Sequence, residues 1–337
     1  MDSLTRIGIA RELIDIDSTT GREGEAGAFL ARTLRALGYE VTEQPVSEGR
    51  FNVFARTGTV PPDVVFSTHF DCVPPFFPSR VSDGRLYGRG ACDAKGIAVS
   101  QIAAAERLRA EGEPGVGLLF VVGEERGSDG ARRANEIAPG SRNLVNGEPT
   151  ENHLARATRG VYRARLSVQG VAAHTSQPHL GRSAIEGLVD VIVRLRALDW
   201  PADPELGETF YTVGLISGGV APNVVPPHAS CEVMFRTVGP PEPLRAVMER
   251  EFRGSVGIED VLVVPPVALR TVSGFGTAVF SFTTDIPFLD RWGAPLLVGP
   301  GSVRVAHTAD EHVAIADLDR AVDLYVSIAR TLMSQSG

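Results

Sequence analysis

The sequence predicts an α/β protein in which a layered α/β domain carries an inserted, ferredoxin-like α+β domain. Three observations lead to this expectation. Short apolar runs typical of buried strands alternate with helical periodicity through residues 1–155. The pattern then changes to strand, helix, strand, strand, helix, strand, which is the order of a ferredoxin-like domain. Buried strands and a long helix return after residue 268.

Length and composition agree with a two-domain protein. The chain has 337 residues, and at about 100 to 200 residues per domain this length predicts two structural units. The hydrophobic share of 43% and the charged share of 22% are those of a chain that buries a core rather than of a disordered one. We expect an outer domain of residues 1–155 and 268–337, with residues 156–267 as the insert.

Helices and strands are expected to alternate along residues 1–155. Apolar residues recur at helical spacing in four segments, at residues 4–14, 28–37, 94–108 and 129–137. Clusters of β-branched and aromatic residues predict strands between them, at residues 39–46, 51–56, 64–68, 116–122 and 143–146. The third and fourth of these strands are largely apolar, as strands covered on both faces are.

The insert is expected to begin with a strand at residues 162–168, where apolar and polar residues alternate, followed by an amphipathic helix at residues 182–198. Two strands, a helix that begins with prolines, and a last strand should follow, at residues 210–217, 229–237, 241–252 and 260–264. The outer domain is then expected to resume with two strands and a closing helix, at residues 279–283, 295–298 and 315–333.

Charge and segment composition exclude several classes of function. Lys and Arg total 33 against 41 Asp and Glu, so no excess of cations is present to neutralise nucleic-acid phosphates. No apolar stretch reaches the roughly 18 residues of a membrane span, and the amino-terminal residues lack the apolar core of a secretory signal. We therefore expect a cytoplasmic protein with no nucleic-acid or membrane partner. Three cysteines are too few for a disulfide framework, so reduced thiols are expected.

A histidine and an aspartate stand at the end of the predicted strand at residues 64–68. His69 and Asp71 are two residues apart, so their side chains should leave the chain on the same face. This spacing lets Asp71 orient one imidazole nitrogen while the other nitrogen binds a metal. A buried structural histidine is the alternative.

A glycine-rich turn at residues 88–96 places Asp93 just before a predicted helix. A carboxylate in such a turn can bridge two cations, because the flanking glycines allow close backbone approach. A dinucleotide or phosphate loop is the alternative, but neither GxGxxG nor GK followed by Ser or Thr is completed here. Lys95, the only lysine of the chain, lies in the same turn.

Further acids and a histidine follow other predicted strands. Glu124 and Glu125 end a buried strand as adjacent carboxylates, which repel each other unless a cation is present. Glu148 closes the next strand, and His307 comes from the returning segment. Four carboxylates and two histidines at strand ends suit a hard, dinuclear, Zn-like or Mn-like site better than a thiolate site.

The ordered motifs HFDCVP, GRGACDAKG, GEE, GEPT and AHTADEH resemble one family across essentially the whole chain. It is the metal-dependent amidohydrolase and peptidase superfamily of acetylornithine deacetylase, succinyl-diaminopimelate desuccinylase, aminoacylase and carboxypeptidase G. The resemblance implies two divalent metal ions, Zn first, with Co or Mn as alternatives. It also implies that His69 and Glu148 bind one ion, that Glu125 and His307 bind the other, and that Asp93 bridges both.

The resemblance assigns roles to five further residues. It implies that Glu124 is the general base and that Asp71 orients a metal ligand. In the insert, His174 resembles a histidine that reaches an active site, and Asn223 and Arg236 match residues that hold a substrate carboxylate. Arginine suits that task because its planar guanidinium binds a carboxylate through two hydrogen bonds.

We therefore expect a metal-dependent hydrolase that cleaves the amide bond of N-acyl amino acids, with acetylornithine deacetylase-like substrates first. Alternatives within the family are a succinyl-diaminopimelate desuccinylase, a dipeptidase and a carboxypeptidase. An alternative of another class is a non-catalytic ligand-binding or scaffold protein that keeps the fold. We also expect a homodimer joined through the insert, which would act as a lid or dimerisation domain. Lys95 and His312 receive no role from the sequence.

Overall fold

The structure is a computed structural model that describes residues 1–58 and 60–335. The chain divides into two compact units. Unit 1 contains Met1–Arg156, Leu269–Ala278 and the described residues from Thr284 onward. Unit 2 contains Ala157–Ala268 and Val279–Thr283.

The secondary structure of the described residues comprises seven α-helices, eighteen strands and four short 3₁₀ helices. The helices are α1 Ser3–Ile14, α2 Gly24–Ala36, α3 Lys95–Ala110, α4 Asp129–Ala134, α5 Ala184–Leu195, α6 Pro241–Glu251 and α7 Ile315–Ser334. The strands are β1 Glu40–Ser47, β2 Arg50–Arg56, β3 Val64–His69, β4 Arg80–Ser82, β5 Arg85–Tyr87, β6 Val116–Val121, β7 Asn143–Asn146, β8 Leu154–Thr158, β9 Gly160–Gln169, β10 Ala202–Asp203, β11 Gly207–Glu208, β12 Phe210–Gly218, β13 His228–Thr237, β14 Gly257–Val264, β15 Val267–Ala268, β16 Thr277–Phe280, β17 Ala294–Leu297 and β18 His312–Ala314.

Unit 1 is built on a six-stranded sheet in the order β1-β2-β6-β3-β7-β17. Strands β6, β3, β7 and β17 are parallel, whereas β2 runs antiparallel to both of its neighbours. All residues of β3 and β6 are buried, as their apolar sequences predict. Because the carboxyl ends of parallel strands meet at one edge of a sheet, the loops after β3, β6 and β7 lie close together.

The core of unit 1 covers both faces of this sheet. Alternate residues of β3 point to opposite faces, so Phe66 packs in the cluster that contains the inner faces of α1, α3 and α7. Val65 packs in the cluster on the other face, with Trp292 and residues of α4. The alanine-rich helix α3 is buried along most of its length, and it begins at Lys95, directly after the glycine-rich turn. The start of α3 therefore fixes the position of Asp93.

Unit 2 contains a four-stranded antiparallel sheet in the order β12-β13-β9-β14. Its core includes Leu188 of α5 and Met248 of α6, packed against inward residues of β9 and β13 such as Leu166 and Val233. The chain order β9-α5-β12-β13-α6-β14 is that of a ferredoxin-like domain. The predicted fold class, a layered α/β domain with an inserted ferredoxin-like domain, is therefore confirmed.

The differences from the predicted elements concern short strands. Strands β4, β5 and β18 form a three-stranded sheet that the sequence analysis did not predict, because three residues are too few to show an alternating pattern. The strand predicted at residues 279–283 is observed at Thr277–Phe280. Among the described helices, none combines the length and the apolar character that crossing a membrane requires.

Candidate metal centre

Acids and histidines gather in unit 1 at the carboxyl ends of three neighbouring parallel strands. His69 is the last residue of β3, and Glu148 follows β7 by two residues. Glu124 and Glu125 lie in a 3₁₀ turn, Glu124–Arg126, shortly after β6. The order of strands in the sheet, β6-β3-β7, brings these side chains together although they are distant in the sequence.

The ligand atoms of six predicted residues form three overlapping groups. Within each group, one nitrogen or oxygen atom of every residue lies within 4.8 Å of the others. The groups are His69 with Asp93 and Glu148, His69 with Glu124 and Glu125, and Asp93 with Glu125 and His307. The structure thus brings together all five residues predicted as metal ligands and the predicted base.

Asp93 occupies the centre of this cluster. Its Oδ1 lies 3.0 Å from Nε2 of His69, and its Oδ2 lies 3.3 Å from Nε2 of His307. The two oxygens of one carboxylate thus face two different histidines, as those of a bridging ligand do. Oε2 of Glu148 is 3.9 Å from Nε2 of His69, and Oε1 of Glu125 is 2.8 Å from Nε2 of His307. The resemblance assigned these same two pairs to separate ions, an assignment that stays a prediction.

Asp71 is a buried carboxylate that connects two of the loops. Its Oδ1 accepts a hydrogen bond from the backbone N–H of Glu124 at 3.0 Å, and its Oδ2 accepts one from that of Glu125 at 3.2 Å. Nδ1 of His69 lies 3.4 Å from Oδ1 and 3.0 Å from the backbone oxygen of Asp71. Burial raises the pKa of Asp71, but the contacts with His69 and these donors outweigh it and hold the pKa below its usual value. A proton held on Nδ1 leaves Nε2 free to bind a metal.

The charges of the cluster fit divalent cations. Burial and the charge of Glu148 raise the pKa of Glu124 well above its usual value. Burial likewise raises the pKa of Glu125 and, together with Asp93, that of Glu148. Carboxylates this close together disfavour one another's ionised form unless positive charge lies between them. Oxygen and imidazole donors without thiolates are the ligands that Zn²⁺, Co²⁺ and Mn²⁺ accept.

Glu311 fixes the turn that carries Asp93, and the sequence analysis did not identify it. Oε1 of this fully buried residue accepts hydrogen bonds from the backbone N–H groups of Gly90, Cys92 and Asp93, at 2.9, 3.2 and 3.1 Å. Its other oxygen pairs with the buried guanidinium of Arg89 at 2.5 Å. The available signal was its position inside AHTADEH, four residues after a predicted ligand.

Asp285 is a second buried carboxyl group that the sequence analysis did not identify. Its side chain hydrogen bonds with Ser128, and its Oδ1 has no hydrogen-bond partner in the part of the chain that the structure describes. Burial raises the pKa of Asp285 to about 7. Its charge acts on Glu124 and Glu148, so it belongs to the surroundings of the cluster. It lies in a segment without a periodic pattern or a motif that would have marked it.

Two cysteines and one histidine of unit 1 pack against other residues and stand outside the three ligand groups. Cys72 and Cys92 are buried free thiols, and burial raises the pKa of Cys72 to about 11 and that of Cys92 well above its usual value. Neither thiol belongs to the three ligand groups found among the described residues. His312, which the sequence left without a role, packs on Tyr87 with ring centroids 5.0 Å apart.

The three predicted residues of the insert lie in unit 2. His174 is exposed, and its Nδ1 lies 2.8 Å from Oγ of Ser176. The residue after it, Thr175, donates its backbone N–H to the backbone oxygen of Asn223 at 3.3 Å, so His174 and Asn223 lie in adjoining loops. Arg236 lies near the end of β13, opposite Phe210 of β12.

Comparison with known proteins identifies the family. Residues 65–331 match the model of the peptidase family M20/M25/M40. The chain belongs to the M20 peptidase family. A probable carboxypeptidase of Aspergillus flavus is 35% identical, with 94% of this chain and 84% of that protein covered. A probable carboxypeptidase of Paracoccidioides brasiliensis is 33% identical, with coverages of 95% and 83%. The superfamily predicted from the motifs is therefore confirmed, and the chain is a hydrolase of this peptidase family.

Solved structures of peptidases share the fold. An aminopeptidase of Bacillus cereus gives a TM-score of 0.79 at 20% identity, with 99% of each chain covered. An M20 family metallo-carboxypeptidase of Sulfolobus solfataricus gives 0.76 at 15% identity, with coverages of 98% and 99%. A dinuclear metal binding peptidase of Bacillus subtilis gives 0.72 at 17% identity, with 97% of each chain covered. At these identities the likeness concerns the fold.

Replacing Asp93 with alanine is expected to abolish binding of both metal ions. Both oxygens of this carboxylate are needed if it offsets the repulsion between two cations held about 3.5 to 4 Å apart. Mass spectrometry of the gel-filtered protein measures metal content, and Asp310→Ala, a change at a solvent-exposed acid of the same region, is the matched control. Retention of two metal equivalents by Asp93→Ala would show that Asp93 does not bridge the ions.

Proposed function

We propose that this M20 family member hydrolyses the amide bond next to a terminal amino acid whose carboxylate is free. The observation that carries metal-assisted hydrolysis is the position of Asp93, whose two oxygens face His69 and His307 within a cluster of acids. The preference for a free carboxylate rests on the resemblance of Asn223 and Arg236 to residues that hold a substrate carboxylate. N-acyl amino acids, dipeptides and carboxypeptidase substrates all contain such a bond. The names of the fungal relatives favour carboxypeptidase activity. Deacylation of acetylornithine-like substrates and desuccinylation are the alternatives.

Two divalent ions would be held by five residues of unit 1. His69 and Glu148 would bind one ion, Glu125 and His307 would bind the other, and Asp93 would contact both. Zn is the first choice, with Co and Mn as alternatives, because the donor set is compatible with all three. When bound, such ions polarise a carbonyl oxygen and lower the pKa of water.

Glu124 is proposed as the general base. Its backbone is held by Asp71, and its side chain adjoins the proposed ligands His69 and Glu125. In this position Glu124 would take a proton from the attacking water and pass it to the leaving amine. A non-catalytic scaffold protein has no need to keep both this glutamate and a complete set of ligands, so the cluster favours an enzyme.

Residues of unit 2 are proposed to recognise the substrate. Arg236 and Asn223 would hold the free carboxylate, and His174 would stabilise negative charge that develops on the scissile carbonyl oxygen. The support for these roles is the motif resemblance, together with the adjoining positions of the His174 and Asn223 loops within unit 2.

The remaining expectations concern assembly and location. The exposed face of α5 carries Ile185, Val189 and Val193, four residues apart and 38%, 48% and 57% exposed. Strand β12 lies at the edge of its sheet and exposes Leu215 and Ile216. An apolar helical stripe beside an open strand edge favours a partner, and we propose a second copy of this chain, with unit 2 as the dimerisation domain. We also propose a cytoplasmic protein without a nucleic-acid or membrane partner, and the net charge of −8 supports the absence of a nucleic-acid partner.

Replacing Glu124 with glutamine is expected to leave metal content unchanged and to lower kcat by at least about 10²-fold to 10⁴-fold, because the proton acceptor is lost. Single-substrate kinetics on the metal-reconstituted protein measure the effect. Glu136→Gln, at an exposed glutamate of unit 1, is the matched control. Turnover near that of the unchanged protein would place the base elsewhere.

Substrates with a free terminal carboxylate are expected to be hydrolysed far faster than their amidated counterparts. A panel of N-acetyl and N-succinyl amino acids, dipeptides and longer peptides, each with its amide, is assayed by released amine. Arg236→Ala should raise KM for the free acids and leave the amides unchanged, since the guanidinium contributes through the carboxylate. Equal effects on both forms would mean a structural role for Arg236, and no hydrolysis of any substrate would contradict the proposed function.

Replacing Val189 with glutamate is expected to yield a monomer, because a charge would interrupt the apolar stripe of α5. Light scattering across a concentration series measures the mass. Val60→Glu, at an exposed valine of unit 1, is the control and should leave the mass unchanged. A dimer that persists in Val189→Glu would exclude this face as the interface, and a monomeric parent protein would exclude the dimer.

A further inference from the structure

We propose that Thr20 is a positioning residue of the metal centre and that Lys95 holds the loop that presents it. This inference rests on the proposed function only in taking the cluster of unit 1 as a metal centre. Neither residue belongs to the three groups of ligand atoms found among the described residues. Their contribution would be made through Asp71, the carboxylate that orients His69 and the backbone of Glu124.

Thr20 contacts the buried carboxylate of Asp71. The Thr20 hydroxyl donates a hydrogen bond to Oδ2 of Asp71 at 2.8 Å. The same oxygen also accepts from the backbone N–H of Glu125. A buried carboxylate is stable only when its oxygens accept hydrogen bonds, so the Thr20 hydroxyl helps to fix the plane of the Asp71 carboxylate. That plane determines where the His69 ring and the Glu125 backbone are held.

The loop that carries Thr20 is attached to the segment around Asp71. We define the Thr20 loop as residues 15–20, which follow α1. It runs along the segment after β3 through three hydrogen bonds. The Ser18 hydroxyl donates to the Phe70 oxygen at 2.6 Å, the Cys72 N–H donates to the Ser18 oxygen at 3.0 Å, and the Thr20 N–H donates to the Cys72 oxygen at 3.1 Å. The backbone on both sides of Asp71 is therefore paired with this loop.

The Lys95 ammonium group donates a hydrogen bond to the backbone oxygen of Ile16 in the Thr20 loop at 2.7 Å. The side chain is 1% exposed and passes through a narrow space. A Cβ on Gly90 would lie 2.9 Å from Cδ of Lys95 and 2.8 Å from Sγ of Cys72. The unbranched side chain of lysine, with its compact ammonium group, fits this space, whereas the planar guanidinium of arginine is wider. This accounts for a lysine here in a chain whose other basic residues are all arginine.

These contacts form one continuous path. Lys95 lies at the start of α3, two residues after Asp93, and reaches the Thr20 loop. The loop in turn presents Thr20 to Asp71, which contacts His69. Removing a partner that orients a metal ligand typically costs about 10-fold to 100-fold in metal affinity or activity. A loss of that size is expected when either Thr20 or Lys95 loses its donor group.

The test compares Thr20→Val, which keeps the shape but loses the hydroxyl, with Thr20→Ser, which keeps the hydroxyl. Competition of the full-length protein with a chelator measures the affinity for Zn²⁺, and thermal melting of the metal-free protein measures stability. Thr20→Val should bind Zn²⁺ about 10-fold more weakly, and Thr20→Ser should bind it as the parent protein does. Thr331→Val is the matched control, because the Thr331 hydroxyl bonds to the Ser327 oxygen within α7, away from the Thr20 loop.

The outcomes separate this inference from its alternatives. Unchanged Zn²⁺ affinity in Thr20→Val would overturn it, and a lower melting temperature of the metal-free protein with unchanged affinity would show a merely structural role. Zn²⁺ binding without hydrolysis of any substrate by the parent protein would contradict the proposed function and leave this inference to be decided by the affinities alone.

The role of Lys95 is tested by Lys95→Met, which keeps a long unbranched side chain but loses the hydrogen-bond donor. The double variant Lys95→Met, Thr20→Val should bind Zn²⁺ no more weakly than the weaker single variant, because the two residues act in series. Fully additive losses would overturn the role of Lys95. If Lys95→Met does not fold, Lys95→Gln, which keeps a donor, replaces it in the cycle and should retain more affinity than Thr20→Val.

Discussion

The buried carboxylate of Asp71 is the interaction on which the arrangement of the site depends. It accepts hydrogen bonds from the backbone after β6 and contacts His69 at the end of β3. One carboxylate therefore connects the ends of two neighbouring strands. A third segment, the loop after α1, joins through Thr20. A buried anion without such donors would be costly. Folding of three separate segments is therefore coupled to one group that lies outside the three groups of ligand atoms found among the described residues.

The buried carboxylate of Glu311 likewise joins two segments, those that carry Asp93 and His307. Its oxygens accept hydrogen bonds from the glycine-rich turn and pair with Arg89, so the segment that carries His307 is joined to the segment that carries Asp93. Glycine is also needed where the segment before His307 passes close to the backbone of Glu148. A Cβ on Gly299 would lie 2.5 Å from the backbone oxygen of Glu148, so a larger residue there would displace a proposed ligand. Two buried carboxylates thus hold the polypeptide around the acids that would contact metal.

The two units differ in how their sheets are covered. In unit 1, strands buried on both faces place loop residues at one sheet edge, which suits a site of several side chains. In unit 2, one face of the sheet is covered by α5 and α6, and most residues of the edge strand β12 are exposed. This leaves apolar surface on α5 and an open strand edge, which are features of a domain that pairs with another surface.

The sequence by itself determined the fold class, because helical and strand periodicity reflect burial that each segment must satisfy locally. It also pointed to the candidate ligands, through acids and histidines at predicted strand ends and in a glycine-rich turn, and through the resemblance of their motifs to those of a metallohydrolase superfamily. Only the tertiary structure decided which of them meet, and it showed Asp93 between His69 and His307. Asp285 and Thr20 could not be selected from the sequence, because their importance lies in contacts with residues far away in the chain, and such contacts leave no periodic signal. Glu311 lies inside the AHTADEH motif, but only the structure showed that its carboxylate holds the turn that carries Asp93.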